Sequence, residues 1–400
     1  MPPRLFTPRF FLMCGFTFTV FLSAFQLLPT APYRILQLGG GNVAAGLFLG
    51  FLTYASACSA PFTGALADRF GRRRTLLTSS LAILGCSALY AAITSIPWLL
   101  ALVLVHGFFW SGLLSASGAY VTDMLPPDRR AEGIGYWGLS TTFATAFAPS
   151  IGLWLFSRGS WLWLCLSIGI LNAAMAVIAW RLPDDRAERP NRPRSLRATW
   201  EQGVIDWRVT LLALTCFLYA FGYGGITSFV ALFAEARGVH PRGIFFTVLA
   251  VVIVLTRPFV GRWTDRLGHR RVLIPCFALI VTGYALLTVA HSRLTFGLAA
   301  AAFAAGFGSA FPAIAAFVMS HVESNRRAAA YGSIIAAFDT GIGTGSISLG
   351  WVVERFSFEA AFGVAAVVAA LAIPYFTLWA EPRFLEQTRA RSGSQHVGAP

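Results

Sequence analysis

The chain has 400 residues, of which 56% are hydrophobic and only 12% are charged. This balance excludes an ordinary water-soluble domain and predicts a membrane protein. The formal net charge of +14 rests on arginine alone, because the sequence contains no lysine, and the arginines cluster in a few short loops. Such clustering is typical of the cytoplasmic loops of membrane proteins, so no nucleic-acid partner is predicted.

Twelve apolar runs follow one another along the chain, and each is long enough to cross a bilayer core of about 30 Å as a helix. The first run resembles a signal peptide, but it is too long and no cleavage site follows it, so we interpret it as a spanning helix. The helices are expected at residues 9–31, 42–66, 74–94, 97–124, 131–157, 160–181, 208–233, 242–263, 271–291, 293–321, 327–352 and 357–380.

A polar, arginine-rich stretch divides the twelve runs into two sets of six. The sequence therefore predicts a first six-helix bundle at 1–181, a linker at 182–207, a second bundle at 208–380 and a disordered tail at 381–400. If the N-terminus is inside, the inner segments hold 24 of the 31 arginines. The positive-inside rule then places both termini in the cytoplasm.

One short segment occurs twice. Residues 60–74 read APFTGALADRFGRRR and residues 257–271 read RPFVGRWTDRLGHRR, with eight of fifteen residues identical at an offset of 197. Each copy joins the second and third helices of its half, which indicates an internal duplication with a shared orientation. Its glycines allow a sharp reversal, and its aspartate can meet a helix N-terminus or an arginine.

The pattern G-x-L-A-D-R-x-G-R-R, its position and its repetition resemble the signature of the major facilitator superfamily. The resemblance covers almost the whole chain and implies an all-α integral membrane fold, in which two pseudo-symmetric six-helix bundles rock around a central cavity. It also implies a conformational latch, in which Asp68 bridges to the start of the eleventh helix at 326–330 and Arg72 pairs with Asp123. The latch residues are Gly64, Asp68, Arg69, Gly71, Arg72, Asp123, Gly261, Asp265, Arg266 and Gly268.

The fifth helix contains small residues that resemble a worn form of the antiporter motif of the same family. Small residues four positions apart let helices pack closely, and a proline can kink the helix. Ordinary helix packing explains these residues equally well. The fourth helix carries Val103 where many proton-coupled exporters of the family have arginine, which argues against the usual proton route. The packing residues of the fifth and eleventh helices are Ala144, Ala148, Pro149, Gly152, Gly341 and Gly345.

Three residues are candidates for proton coupling. Asp339 and Arg257 lie at similar depths, about 16 and 12 Å from the cytoplasmic side, and are predicted to interact. Their interaction is either a static structural pair or a site where Asp339 exchanges protons while Arg257 tunes it. His106 is a secondary candidate, although a lone histidine there is more often a packing residue.

By family analogy, the first, fourth, seventh and tenth helices line the cavity. Aromatic rings with few charges suit apolar or amphipathic solutes better than phosphorylated ones, which normally need arginine clamps. The cavity candidates are Gln26, Trp110, Tyr219, Tyr223 and Phe307.

The sequence thus favours a proton-coupled exporter of small drug-like or sugar-like molecules, working as a monomer in a bacterial inner membrane. A metabolite symporter or uniporter remains open, as does a lipid scramblase or a transport-dead sensor on the same fold. No catalytic signature is present, so an enzyme is not expected. No cofactor is expected, and no cysteine or histidine cluster predicts a metal site.

Overall fold

A computed structural model describes residues 5–126, 129–184, 209–322 and 327–387. Throughout these ranges the regular structure is helical and contains no β-strand. Ten helices within them are long and apolar enough to cross a membrane. Because lipid offers no hydrogen-bond partners to the backbone, a spanning segment satisfies its N–H and C=O groups internally, as a helix does. The structure confirms the predicted all-α membrane fold.

Each predicted run coincides with a helix, and most ends agree within a few residues. A short helix, α2, follows the C-terminal end of the first spanning helix. The helices are α1 (Pro8–Leu27), α2 (Ala31–Gln37), α3 (Asn42–Phe70), α4 (Arg72–Ala92), α5 (Ile96–Met124), α6 (Arg130–Arg158), α7 (Trp161–Arg181), α8 (Thr210–Ala236), α9 (Ile244–Leu267), α10 (His269–Thr288), α11 (Arg293–His321), α12 (Arg327–Arg355) and α13 (Phe358–Pro374).

The end of the chain differs from the prediction of a disordered tail at 381–400. After Pro374, which lacks a backbone N–H, the helix widens into a π-helical turn at Tyr375–Ala380 and then continues helically to residue 387. Phe384 is 2% exposed, and its ring lies 5.5 Å from that of Phe317. The prediction was therefore wrong for residues 381–387, because this buried ring anchors the extension. Residues 388–400, and residues 185–208 of the predicted linker, lie outside the described part.

The two copies of the repeated segment form the same sharp turn between two helices. Gly71 separates α3 from α4 with a φ of 98°, and Gly268 separates α9 from α10 with a φ of 81°. These positive φ values are accessible to glycine at little cost and strained for other residues. We call the side of the molecule that holds these two turns the inner side, and the opposite side the outer side.

Helix packing repeats between the two halves of the chain. In the first half α1 packs against α6, α3 against α5, and α4 against both α5 and α7. In the second half α8 packs against α12, α9 against α11, and α10 against both α11 and α13. The contacts between the halves are also paired, since α3 packs against α12 and α6 against α9. The result is two pseudo-symmetric helix bundles that meet along two helix pairs.

Candidate functional site

The pair α3 and α12 joins the two bundles through polar contacts near the outer side. The Ser346 hydroxyl donates to the carbonyl oxygen of Gly46 at 3.0 Å. The hydroxyls of Tyr54 and Thr344 are hydrogen-bonded at 2.7 Å. These bonds connect residues about 300 positions apart, so they close the outer side only when both bundles are folded and docked.

The same pair ends in a charged contact at the outer surface. The backbone N–H of Val43, in the first turn of α3, donates to Glu354 Oε2 at 2.9 Å. Glu354 lies in the last turn of α12. A carboxylate at a helix N-terminus satisfies free N–H groups and interacts favourably with the helix dipole. Glu354 therefore caps a helix of the opposite bundle.

Glycines show how closely the two helices approach on the outer side. A methyl group built on Gly46 would overlap the backbone of Ser346, and one built on Gly350 would lie 2.6 Å from the carbonyl oxygen of Asn42. Both positions therefore need glycine, because any side chain would push the two bundles apart.

The same helix faces are separated on the inner side. Gly64 lies five whole helical turns after Gly46, and Gly332 lies five whole turns before Gly350. Positions that are whole turns apart share one face of a helix. A methyl group on Gly64 or on Gly332 would meet no atom of the described residues within 4 Å. The two helices thus diverge over about 27 Å, and a cleft between them opens toward the inner side.

The second pair of helices between the bundles, α6 and α9, behaves in the same way. On the outer side the hydroxyls of Ser150 and Thr247 are hydrogen-bonded at 2.8 Å, and Leu153 lies 3.6 Å from a methyl group built on Gly243. Gly135 lies five whole turns before Leu153 on α6, and a methyl group built on it would meet no atom of the described residues within 4 Å. Both pairs therefore hold the bundles together on the outer side, and these inner glycines meet no partner within the described part of the chain.

The first copy of the repeated segment makes its described contacts inside the first bundle. Arg72, at the start of α4, donates to Asp123 and to the carbonyl oxygen of Ala119 on α5. The predicted contact between Arg72 and Asp123 is therefore present. Asp68 is exposed at the inner end of α3. Of its predicted partner segment at 326–330, nearly all side chains lie outside the described part, so the latch remains a prediction.

The second copy uses different chemistry at the corresponding place. At the offset of 197, Arg72 corresponds to His269, whose Nε2 lies 3.0 Å from Glu381 Oε1 and whose ring stacks on Phe317 at 3.7 Å. The sequence missed this cluster because Glu381 had been assigned to the tail. Arg266 is exposed, whereas only the helical backbone of Gly261 and Asp265 belongs to the described part.

The predicted packing residues bring helices of the same bundle into close contact. Ala144 and Ala148 of α6 are fully buried, and a methyl group on Gly152 would lie 2.8 Å from Gln26 Cα on α1. In the second bundle Gly341 of α12 packs against the Phe217 backbone of α8, and Gly345 packs one turn further along the same pair. The predicted kink residue, Pro149, lies within α6. These positions support close packing of α1 with α6 and of α8 with α12.

The proton-coupling candidates occupy three different environments. Asp339 is partly exposed and lies one turn from Gly343 on the face of α12 that meets α3. No hydrogen bond or ion pair to its carboxylate occurs within the described part of the chain. The side chain of Arg257 lies outside that part, so their interaction remains a prediction. His106 is 4% exposed, and its Nδ1 lies 3.1 Å from the Tyr90 hydroxyl, inside the first bundle.

The structure brings three of the five cavity candidates together. The rings of Tyr223 and Phe307 stack at 4.4 Å, and Tyr219 meets Phe307 edge to face at 6.0 Å. The other two lie apart, in the first bundle. Gln26 accepts a hydrogen bond from Ser167 on α7, and Trp110 packs against Phe21.

Two further rings extend this aromatic cluster, and the sequence analysis did not select them. Phe303 stacks on Phe307 at 4.9 Å, and Phe338 lies 5.8 Å from Phe307. The sequence could have indicated Phe303, because Phe303 and Phe307 are four positions apart and therefore share one face of α11. Phe338 belongs to α12, so it joins the cluster only through tertiary packing.

Two pseudo-symmetric helix bundles that touch on the outer side and diverge on the inner side, with an aromatic cluster inside the second bundle, define a multi-pass membrane transporter. The sequence profile of the Major Facilitator Superfamily matches residues 11–245 and 242–398. The chain belongs to this family of transporters and is not an enzyme.

Relatives and solved structures agree with this membership. The multi-drug resistance efflux pump PmrA of Streptococcus pneumoniae is 23% identical over 73% of this chain and 76% of its own length. Its homolog from Lactococcus lactis is 27% identical over 72% of this chain and 73% of its own length. The nucleoside transporter NupG aligns with a TM-score of 0.72 at 15% identity, covering 93% of this chain and all of that one. A POT family transporter in complex with 5-aminolevulinic acid aligns with a TM-score of 0.78 at 11% identity, covering 94% of this chain and 96% of that one. At such identities the solved structures show the fold alone.

Proposed function

We propose that this protein exports small organic molecules across a bacterial inner membrane in exchange for protons, by alternating access. It acts as a monomer with both termini in the cytoplasm, so the inner side defined above is the cytoplasmic side. In this assignment the structure represents the inward-open state, which receives the molecule to be exported.

The observation that carries the proposal is the divergence of α3 and α12. The outer halves touch at Gly46 and Gly350, while their counterparts five turns away, Gly64 and Gly332, meet no atom of the described residues. Rocking the bundles about the middle of this interface would close the inner cleft and open the outer one. The symmetric behaviour of α6 and α9 supports the same motion.

Asp339 is the residue that we assign to proton exchange. A charged side chain inside a membrane is costly, and such residues commonly mark ion or proton pathways. Asp339 lies at mid-length in α12 on the face that meets α3, where the interface passes from contact to separation. It would release its proton to the cytoplasm in the inward-open state and take one up when the bundles open outward.

The aromatic cluster and the relatives favour an apolar or amphipathic substrate. Tyr223, Phe307 and Phe338 are partly exposed rings, and Phe338 belongs to α12, the helix that faces the cleft. Rings bind apolar and cationic solutes through their faces, whereas phosphorylated solutes normally need arginine clamps. The multi-drug pump PmrA and its homolog are relatives of this chain, which favours export of drug-like molecules.

The proposal can be tested in everted membrane vesicles with an acidified interior. Cationic, neutral and sugar-like solutes are added in turn, and proton release is followed by fluorescence dequenching. We expect the wild type to release protons with at least one solute and Asp339→Asn to abolish that release. Glu386→Gln is the matched control, because it removes an exposed carboxylate at the inner end of the extended α13 and should leave release unchanged.

Membrane insertion and folding of every variant are verified before proton release is compared. Proton release that survives Asp339→Asn contradicts the assignment of Asp339. Absence of release with every solute contradicts proton exchange and favours a uniporter. Solute uptake measured in parallel then shows whether transport itself occurs.

A further inference from the structure

A groove of about 250 Å³ lies in the inner half of the first bundle, between α3, α4 and α5. Three large apolar side chains on its rim, Leu66, Phe70 and Phe108, are 39%, 47% and 37% exposed. Leu66 follows Gly64 by two positions, about 200° around the helix, so it points away from the cleft between the bundles. The groove is therefore separate from the transport pathway and faces the lipid.

The groove also has a polar end. Arg74, Thr75 and Thr78 line it at the first turns of α4. The Thr75 hydroxyl donates to the Gly71 carbonyl at 3.1 Å and the Thr78 hydroxyl to the Arg74 carbonyl at 2.9 Å, so both oxygens can still accept hydrogen bonds. Arg74 is exposed, and its guanidinium has no hydrogen bond or ion pair to any described residue.

The second bundle differs at the corresponding place, although it repeats the same fold. Helices α10 and α11 pack more closely than α4 and α5 do, and a methyl group on Gly306 would lie 3.0 Å from the backbone nitrogen of Ile280. The polar residues also change there. At the offset of 197 the hydroxyl residues Thr75, Thr78 and Ser79 correspond to Val272, Pro275 and Cys276.

We propose that this groove binds one anionic phospholipid from the inner leaflet. The phosphate lies on the guanidinium of Arg74, a planar donor group that matches phosphate geometry. One acyl chain lies along Leu66 and Phe108, and headgroup hydroxyls donate to Thr75 and Thr78. The arginine-rich inner side is where an anionic leaflet would be attracted.

The size of the groove favours a lipid over a drug-sized molecule. Pockets that enclose drug-sized ligands measure roughly 300–1,000 Å³, and this groove is smaller and open at its rim. A phospholipid needs only part of itself enclosed, because its second chain remains in the bilayer. Arg74, which pairs with no described residue, then selects an anionic headgroup over a zwitterionic one.

Native mass spectrometry of the intact purified protein tests the proposal with phosphatidylglycerol and phosphatidylcholine as probes. We expect the wild type to retain one phosphatidylglycerol in preference to phosphatidylcholine. Arg74→Gln should weaken that retention about fivefold, as expected for one basic side chain near an anionic surface. Arg74→Lys should keep most of it, because the charge remains.

Arg271→Gln is the matched control, because Arg271 is the exposed counterpart of Arg74 in the second bundle, where the hydroxyl lining is replaced. It should retain phosphatidylglycerol like the wild type. Equal weakening by Arg74→Gln and Arg271→Gln would overturn the proposal in favour of general charge attraction. Equal retention of both lipids, or full displacement by millimolar inorganic phosphate, would also overturn it. Folding of each variant is checked by its thermal unfolding.

Discussion

The outer and inner halves of the α3 and α12 interface are built from similar residues but differ in what they touch. Outside, Gly46 and Gly350 bring the two backbones together, and Glu354 caps α3. Inside, Gly64 and Gly332 occupy the same helical faces, and a methyl group added to either would meet no atom of the described residues within 4 Å. Small residues thus permit close approach at both ends, whereas the described residues approach closely only at the outer end.

The charged contacts differ in a related way. At the outer end, Glu354 of the second bundle meets the N-terminus of a first-bundle helix. At the inner end, the described contacts of Arg72 stay within the first bundle, on α5. Outer contacts therefore resist separation of the bundles, while inner ones hold a single bundle together. Substitutions at the two ends should consequently have different effects.

The largest expected effect comes from Gly46→Leu. The new side chain would overlap the Ser346 backbone, and overpacking of this kind costs about 1–3 kcal/mol. The population ratio of the inward-open state to the alternative should fall by about 5- to 160-fold. Distances between spin labels at the outer ends of α3 and α12, in a cysteine-free background, measure this shift.

Gly64→Leu is the matched control for that substitution. It places the same side chain on the same helix face, where no atom of the described residues lies within 4 Å of an added methyl group. The outer distance should stay short in this variant. A long outer distance in both variants, or in neither, would contradict the divergence of the two helices.

Arg72→Gln should have a smaller effect, on stability and not on the outer contacts. It removes the hydrogen bonds to Asp123 and Ala119 that join α4 to α5. Because Asp123 is about half exposed, the loss should be only about 1 kcal/mol, or roughly 2 °C in the unfolding midpoint. Thermal unfolding of Arg72→Gln, Asp123→Asn and the double variant measures the coupling. Strictly additive losses would show that the pair contributes nothing.

The smallest expected effect belongs to Glu354→Gln. Charge at a helix N-terminus contributes about 0.3–1 kcal/mol when exposed, so the outer contact should weaken about two- to fivefold. High salt should reduce the difference between variant and wild type, since screening weakens the charge. Outer spin-label distances at low and high salt test this. A difference that does not depend on salt would indicate a role of shape and not of charge.

The sequence could predict most of the fold but only part of the candidate site. Of the cavity candidates, Tyr219, Tyr223 and Phe307 come together, while Gln26 bonds to Ser167 within the first bundle. The sequence says little about which face of a spanning helix meets the protein and which meets the lipid, because both neighbours accept apolar side chains. Phe338 was missed for the same reason.

The sequence by itself determined the order and approximate positions of the helices and the duplication. These are local properties, since a bilayer requires every long apolar run to satisfy its own backbone. Only the tertiary structure decided which glycines touch, that Glu354 caps α3, and that Glu381 meets His269. Those contacts join residues far apart in the chain, and they depend on how two rigid bundles dock, which no local pattern specifies.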